Sequence, residues 1–213
     1  MEKHMKRLLC VLSAALMLMS AQTDSYAQMS DNMLSDADKE AGWKLLFDGR
    51  SLLGWNPRGG GAEWSVEDGT ITAVAVRGPS YIGSTQEFAD FTLKADFWTD
   101  EGHNSGIFVR GPANPGARVG QFSFYEINIA DTHRSGFTTG SIVDKKVFEP
   151  APTTAGKWNT IEIVANGRDL SVTLNGEKGL EIKDSTHYSG VIALQVFGEG
   201  RVRFKNIKIM EIK

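Results

Sequence analysis

Cysteine is all but absent from this chain of 213 residues: the one copy, Cys10, lies inside the apolar run from Leu8 to Met19. That run is shorter than the roughly 20 residues a bilayer-spanning helix needs. It follows Lys3, Lys6 and Arg7 and precedes Ser25-Tyr26-Ala27, which offers small residues at the two positions a signal peptidase reads. The pattern predicts a secretory signal peptide over residues 1–27, cleaved after Ala27. The competing reading is an uncleaved anchor. The residues after Ala27 contain no cysteine. Thiol catalysis, cysteine metal sites and disulfides are therefore excluded, and export without disulfides fits a bacterial periplasm or secretion from such a cell.

Other absences narrow the field further. Neither sign of charge dominates, with 23 Lys and Arg against 26 Asp and Glu. Nucleic acid and anionic membrane surfaces are thus poor partners. No second apolar run could span a bilayer, no long stretch has helical periodicity, and no internal repeat shows. No His-x-Glu or His-x-x-x-His spacing marks a transition-metal site. Nucleophile-elbow and phosphate-loop motifs are missing, since Gly59-Gly60-Gly61 leads into Glu63-Trp64 rather than a lysine-bearing helix.

What is present is a succession of short alternating runs punctuated by Gly, Asn and Asp. Residues 28–42 are polar and read as a linker or a short surface helix over Asp36 to Ala41. Residues 43–213 form one all-β domain of the sandwich or barrel class. Strands are expected over Lys44 to Phe47, Trp64 to Val66, Thr70 to Val74, Phe91 to Trp98, Gly106 to Arg110, Thr160 to Ala165, Leu170 to Leu174, Gly179 to Ile182, Val191 to Val196 and Val202 to Met210. Asp68-Gly69 and Asn175-Gly176 are hairpin turn signals. A change of phase at Lys205-Asn206 predicts a bulge.

The stretch Gln121 to Gly140 carries most of the chemistry. From Phe122 to Ala130 one strand face would hold Phe122, Phe124, Glu126, Asn128 and Ala130, and the other Ser123, Tyr125, Ile127 and Ile129. An edge strand with solvated polar residues is one reading. A ligand groove is the other, and it accounts for two Phe beside Glu and Asn. Asp131, His133 and Arg134 follow directly. Asn104 and Ser105 in His103-Asn104-Ser105-Gly106 form either a turn or a hydroxyl-binding edge, and Arg110 either an oxygen clamp or a surface residue. Glu126 and Asp131 could hold Ca²⁺ together with carbonyls, the one cofactor these residues suggest, although no spacing demands it. Glu126 to Asp131 also resembles the Glu-x-Asp-x-x-Glu strand of laminarinase-type glucanases. Here Asn128 replaces the middle carboxylate, and Glu126 and Asp131 would lie about 16 Å apart on opposite faces. Retention needs two carboxylates about 5–5.5 Å apart, so a two-carboxylate glycosidase is not expected. Glu126 and His133 could instead serve as base and acid.

Trp43-Lys44-Leu45-Leu46-Phe47-Asp48-Gly49, Gly54-Trp55 and Trp64-Ser65-Val66-Glu67-Asp68-Gly69 resemble the opening of the 3-keto-disaccharide hydrolase domain family. So do Asn104 to Arg110, Tyr125 to Ile129, Thr139 to Ile142, Lys157 to Thr160, Leu174-Asn175-Gly176, Ile192 to Gln195 and Phe204 to Ile207, in order along the chain. After Gln195 the chain departs from the family pattern, reading Val196-Phe197-Gly198-Glu199-Gly200 where many members carry an Asp-His-Gly or Gly-rich segment. The resemblance implies a concanavalin A-like jelly roll of two antiparallel sheets. It implies a hydrolase acting on 3-keto-glycosides or related oligosaccharides by C2 proton abstraction and elimination. Glu126, His133 and Asp131 are then the catalytic candidates, and Asn104, Ser105, Arg110, Phe124, Asn128 and Gln195 the substrate-binding ones. The rival classes are a non-catalytic carbohydrate-binding module and a structural or adhesive domain.

Overall fold

The computed structural model describes residues 31–112 and 124–213; the signal-peptide reading and the Gln121 to Ser123 start of the proposed groove strand lie outside these. Among the described residues a short helix, α1 (Asp36–Ala41), is capped by Ser35, whose hydroxyl accepts from Asp38 N while the Asp38 carboxylate accepts from Ser35 N. The strands are β1 (Lys44–Leu45), β2 (Trp55–Pro57), β3 (Trp64–Glu67), β4 (Thr70–Val74), β5 (Ser80–Phe88), β6 (Phe91–Thr99), β7 (Asn104–Gly111), β8 (Tyr125–Ile129), β9 (Asn159–Asn166), β10 (Asp169–Leu174), β11 (Glu177–Lys183), β12 (Gly190–Phe197) and β13 (Arg201–Glu211). No helix among the described residues is long and apolar enough to cross a membrane.

The strands form two antiparallel sheets, as the all-β jelly-roll reading required. One runs β11-β10-β9-β6-β13-β4-β3, with β1 beside β13; the other runs β2-β5-β12-β7-β8. Strict alternation builds the layer between them. In β6, Phe91, Leu93, Ala95 and Phe97 are buried while Thr92, Lys94, Asp96 and Trp98 are less so. In β7 and β8, Ile107, Val109, Tyr125, Ile127 and Ile129 join the same core. Asp68 and Gly69, like Asn175 and Gly176, both take positive φ, the geometry that two-residue hairpins favour. The β13 bulge lies where the phase change placed it: pairing with β6 shifts between Lys205 and Lys208, and Asn206 has φ 52°.

The expectations missed β2 and β5. In β5 the interior positions Ser80 and Ser84 are small and polar, so no apolar period marks the strand. Their hydroxyls are used by the backbone instead: Ser80 Oγ accepts from Ala62 N, and Ser84 Oγ accepts from Ile192 N and donates to Gln86 O.

Arg110 departs from both of its sequence readings, an oxygen clamp and a surface residue. Alternation would put it on the outer face with Phe108, but β7 carries an extra residue opposite Val191 to Ala193 and Arg110 adopts φ 56°. The side chain therefore turns inward and is fully buried. It donates to Ala89 O, Gly167 O and His187 O, and pairs with Asp90 at 2.8 Å. This guanidinium anchors three loops at one end of the sandwich. Arg110→Met is expected to lose about 3 kcal/mol or more of stability, because one buried partner is removed and the acceptors are stranded. Urea unfolding measures this; a loss below about 1 kcal/mol would show the anchor to be dispensable.

Candidate active-site cleft

The outer face of the five-stranded sheet carries a cleft of about 260 Å³. Register builds its floor. Tyr81 of β5 stands opposite Gln195 of β12, Gln195 opposite Gly106 of β7, and Gly106 opposite Asn128 of β8. On one side of this row Ala193 faces Phe108 and Phe108 faces Glu126; on the other Phe197 faces Asn104. Gly106 keeps the floor deep. A Cβ there would stand 3.1 Å from the Phe108 ring and 3.5 Å from Glu126 Cγ.

Beside the polar row lies an aromatic wall. Tyr81 meets Phe108 edge to face at 5.4 Å between centroids, and Phe108 meets Phe124 in the same way at 5.5 Å. Ala193 is small enough to let Tyr81 and Phe108 meet across it. Glu126 stands against this wall. Burial, and then the charge of Asp144, push its pKa from the ordinary 4.5 up to about 7. Asp144 itself is exposed and does not line the cleft.

Two buried acceptors face the same space. Gln195 Nε2 donates to the Tyr81 hydroxyl at 3.1 Å, but Gln195 Oε1 has no partner, and neither has Asn104 Oδ1. Buried amide oxygens left unpaired cost free energy that a ligand hydroxyl would recover. His133 and Arg134 line the cleft from the loop after β8, and His133 Nδ1 hydrogen-bonds Ser135 Oγ. Thus Asn104, Glu126, Asn128, His133 and Gln195 are brought together. Phe124 stands behind them in the wall and does not line the cavity.

Three candidates lie elsewhere. Arg110 is the buried anchor described above. Ser105 alternates to the core face and donates its hydroxyl to Gln195 O at 2.6 Å. Asp131 is a loop clamp rather than an acid facing substrate. Its carboxylate accepts from Thr154 N at 2.7 Å, Ala155 N at 2.9 Å and Thr139 Oγ1 at 3.2 Å, and from the Thr154 hydroxyl. Burial raises its pKa, but these hydrogen bonds outweigh that and leave it lowered. The same donors occupy both oxygens, so Glu126 and Asp131 do not fit a shared Ca²⁺. Among the described residues no group of three His, Cys, Asp or Glu could hold a metal ion. A larger hollow of about 520 Å³ lies at Asp31, Asp48 and Asp68, but Asp48 is already engaged by Arg50 N and Ser51 N.

Tyr81 and Phe108 were missed as site residues. Tyr81 sits on the strand without an apolar period. Phe108 reads from sequence as one more aromatic in Gly-Ile-Phe-Val, and only the register with Glu126 and Ala193 gives it a place.

The fold recurs in solved structures. A candidate glycosyl hydrolase from Parabacteroides distasonis matches with a TM-score of 0.76 and 24% identity, over 86% of this chain and all of that one. A second from the same organism matches with a TM-score of 0.65 and 25% identity, over 80% and 99%. The carbohydrate-binding module CBM66 from Bacillus subtilis matches with a TM-score of 0.54 and 18% identity, over 73% and 94%. Comparison with curated proteins gives no match. The model of the 3-keto-alpha-glucoside-1,2-lyase-like domain matches residues 42–210, nearly all of the described fold, and the chain belongs to that family.

Proposed function

We propose that the protein cleaves the C1–O bond of 3-keto-glycosides by removing the C2 proton and eliminating the group at C1, after which water adds to the enone. The observation that carries this reading is the Glu126 carboxylate, set in the cleft directly opposite Phe108, where burial pushes its pKa up to about 7. A ketone at C3 acidifies the proton at C2. The carboxylate best suited to take it has a pKa near the working pH. A pair of matched carboxylates is not needed, and Asp131 is not free to form one.

The other cleft groups fit the same scheme. Asn104 Oδ1 and Gln195 Oε1 receive sugar hydroxyls. Asn128 shares the Glu126 face while its amide holds Phe137 O, so it steadies the loop that carries His133. His133, at the cleft wall, supplies the proton to the leaving oxygen. A binding module without catalysis would use the same acceptors, but it has no use for a carboxylate held near neutrality beside an aromatic wall. The basic start, the apolar run after it and Ser25-Tyr26-Ala27 support a reading in which the protein acts outside the cytoplasm. N-terminal sequencing of the exported protein is expected to begin at Gln28, and recovery of intact Met1 in a membrane fraction would overturn export by cleavage.

Purified protein is expected to release free sugar from a 3-keto-disaccharide and not from the parent disaccharide. Glu126→Gln keeps size and shape but accepts no proton, so its rate should fall at least about 10²-fold with sugar binding retained. Near wild-type turnover in a folded Glu126→Gln protein would remove Glu126 from the mechanism. Absence of keto-sugar release by the wild type, with sugar still bound, would favour the binding module.

The rate should also carry the Glu126 titration. The base works only when ionised, so kcat/KM should fall about tenfold per pH unit below about 7 and level off above it. Stability moves the other way. Because the folded-state pKa is raised, the stabilisation from protonated Glu126 is complete below 4.5 and is lost as pH rises through about 7. Glu126→Gln should therefore be more stable than wild type at pH 8, by up to about 3 kcal/mol, and equal to it near pH 4. Thermal melts at the two pH values test the sign.

A further inference from the structure

We propose that the Tyr81 hydroxyl is a second catalytic group, donating a hydrogen bond to the oxygen that becomes negative when Glu126 removes the substrate proton. This rests on the 3-keto-glycoside reading above and adds the group that reading leaves unassigned, the one that meets the enolate.

Three observations converge on Tyr81. Its position opposite Gln195 puts its side chain on the cleft face, in the row that forms the floor. Its ring is fixed edge-on against Phe108, the residue directly opposite Glu126, so the phenol is braced against the base's own support. Its oxygen already accepts a hydrogen bond from Gln195 Nε2, while its own proton is donated to no described residue. A phenol that accepts on one side and has an uncommitted proton on the other is a directed donor.

Electrostatics keep that proton in place. Burial raises the Tyr81 pKa most, the Gln195 hydrogen bond lowers it, and the Glu126 charge raises it again, for a net increase. The hydroxyl is therefore neutral at the pH where Glu126 is ionised, and it senses the carboxylate across the cleft. Base and donor so placed suit two adjacent sites on one sugar edge, the proton on C2 and the oxygen on C3.

The step balances without a further reactant. Glu126 takes the C2 proton, and the C2–H electron pair forms the C2–C3 double bond as the C3 oxygen becomes an enolate hydrogen-bonded by Tyr81. The pair then returns: C3=O reforms, C1=C2 forms, and the C1–O bond breaks with its electrons leaving on oxygen. That oxygen is protonated by His133. Tyr81 stabilises charge throughout and ends the cycle with its proton.

Tyr81→Phe keeps the ring and its contact with Phe108 and deletes only the donor. It is expected to lower kcat by about 10²- to 10³-fold while KM changes little, the result for removing one oxyanion donor. Exchange of the C2 hydrogen with deuterated solvent should slow in parallel. A role in packing alone would leave kcat and exchange unchanged and lower only the melting temperature, and that result would overturn the proposal. Difluorotyrosine placed at position 81 keeps the fold and the hydroxyl but ionises much closer to neutrality. It should add a new alkaline limb to the kcat profile, and an unchanged profile would also overturn the assignment. The two readings fail separately. If wild type releases no sugar from any 3-keto-glycoside, the proposed function falls and this inference with it. If wild type is active and Tyr81→Phe is equally active, Tyr81 alone is wrong.

Discussion

Period-two alternation in β7 and β8 is the constraint on which the cleft depends. Ile127 and Ile129 fill the layer between the sheets, and for that reason Glu126 and Asn128 must face outward. Ile107 and Val109 do the same for Gly106 and Phe108. A slip of one residue would bury a carboxylate and an amide and expose two isoleucines, which no sandwich of this kind tolerates. The core thus fixes the site: the hydrophobic energy that orders the sheets also selects which polar groups meet on the other side. Bulges are the places where this coupling is released. The one in β7 turns Arg110 from the cleft face to the interior, where carbonyls rather than substrate occupy it.

The electrostatic character of the cleft follows from what surrounds Glu126. No hydrogen bond contributes to its titration, and both contributions, burial and the Asp144 charge, favour the protonated form. The contrast with Asp131, five residues on, is instructive. Asp131 is partly buried too, yet four donors keep its charge stable and hold its pKa down. One carboxylate is stabilised as an anion and serves the loop. The other is destabilised as an anion by burial and faces the cleft, at some expense of fold stability near neutral pH.

Much of this was legible in the sequence. The turns at Asp68-Gly69 and Asn175-Gly176, the alternation of Phe91 to Phe97 and the phase change at Asn206 each map onto one local feature. The outward set Phe124, Glu126 and Asn128 was legible for the same reason. What stayed hidden depended on partners distant in sequence. β5 carries serines inside because their hydroxyls bond to Ala62, Gln86 and Ile192, and no periodicity records such bonds. Tyr81 enters the site only through its pairing with Gln195, 114 residues away. Asp131 looked like a titrating group beside the cleft because its donors, Thr154 and Ala155, lie more than twenty positions downstream. Arg110 was misplaced because a bulge leaves no mark in a run as regular as Asn104 to Arg110.

Asn128 ties these strands of argument together. It stands two residues from Glu126 on the same face, about 7 Å along the strand, where a glucanase-like site would place a second carboxylate. A carboxylate there would add a like charge to a group whose pKa is already raised by burial and by Asp144. It would also lose the N–H donation to Phe137 O that draws the loop back over the strand. The neutral amide avoids the repulsion and keeps the tether. With Asp131 clamping the base of the same loop through Thr139, Thr154 and Ala155, the His133 segment is held at both its root and its return. The loop that brings His133 to the cleft is therefore positioned by Asn128, which stands where a second carboxylate would, and by Asp131. The cleft thus holds one carboxylate, Glu126, with a neutral amide beside it and the second acid turned to the loop.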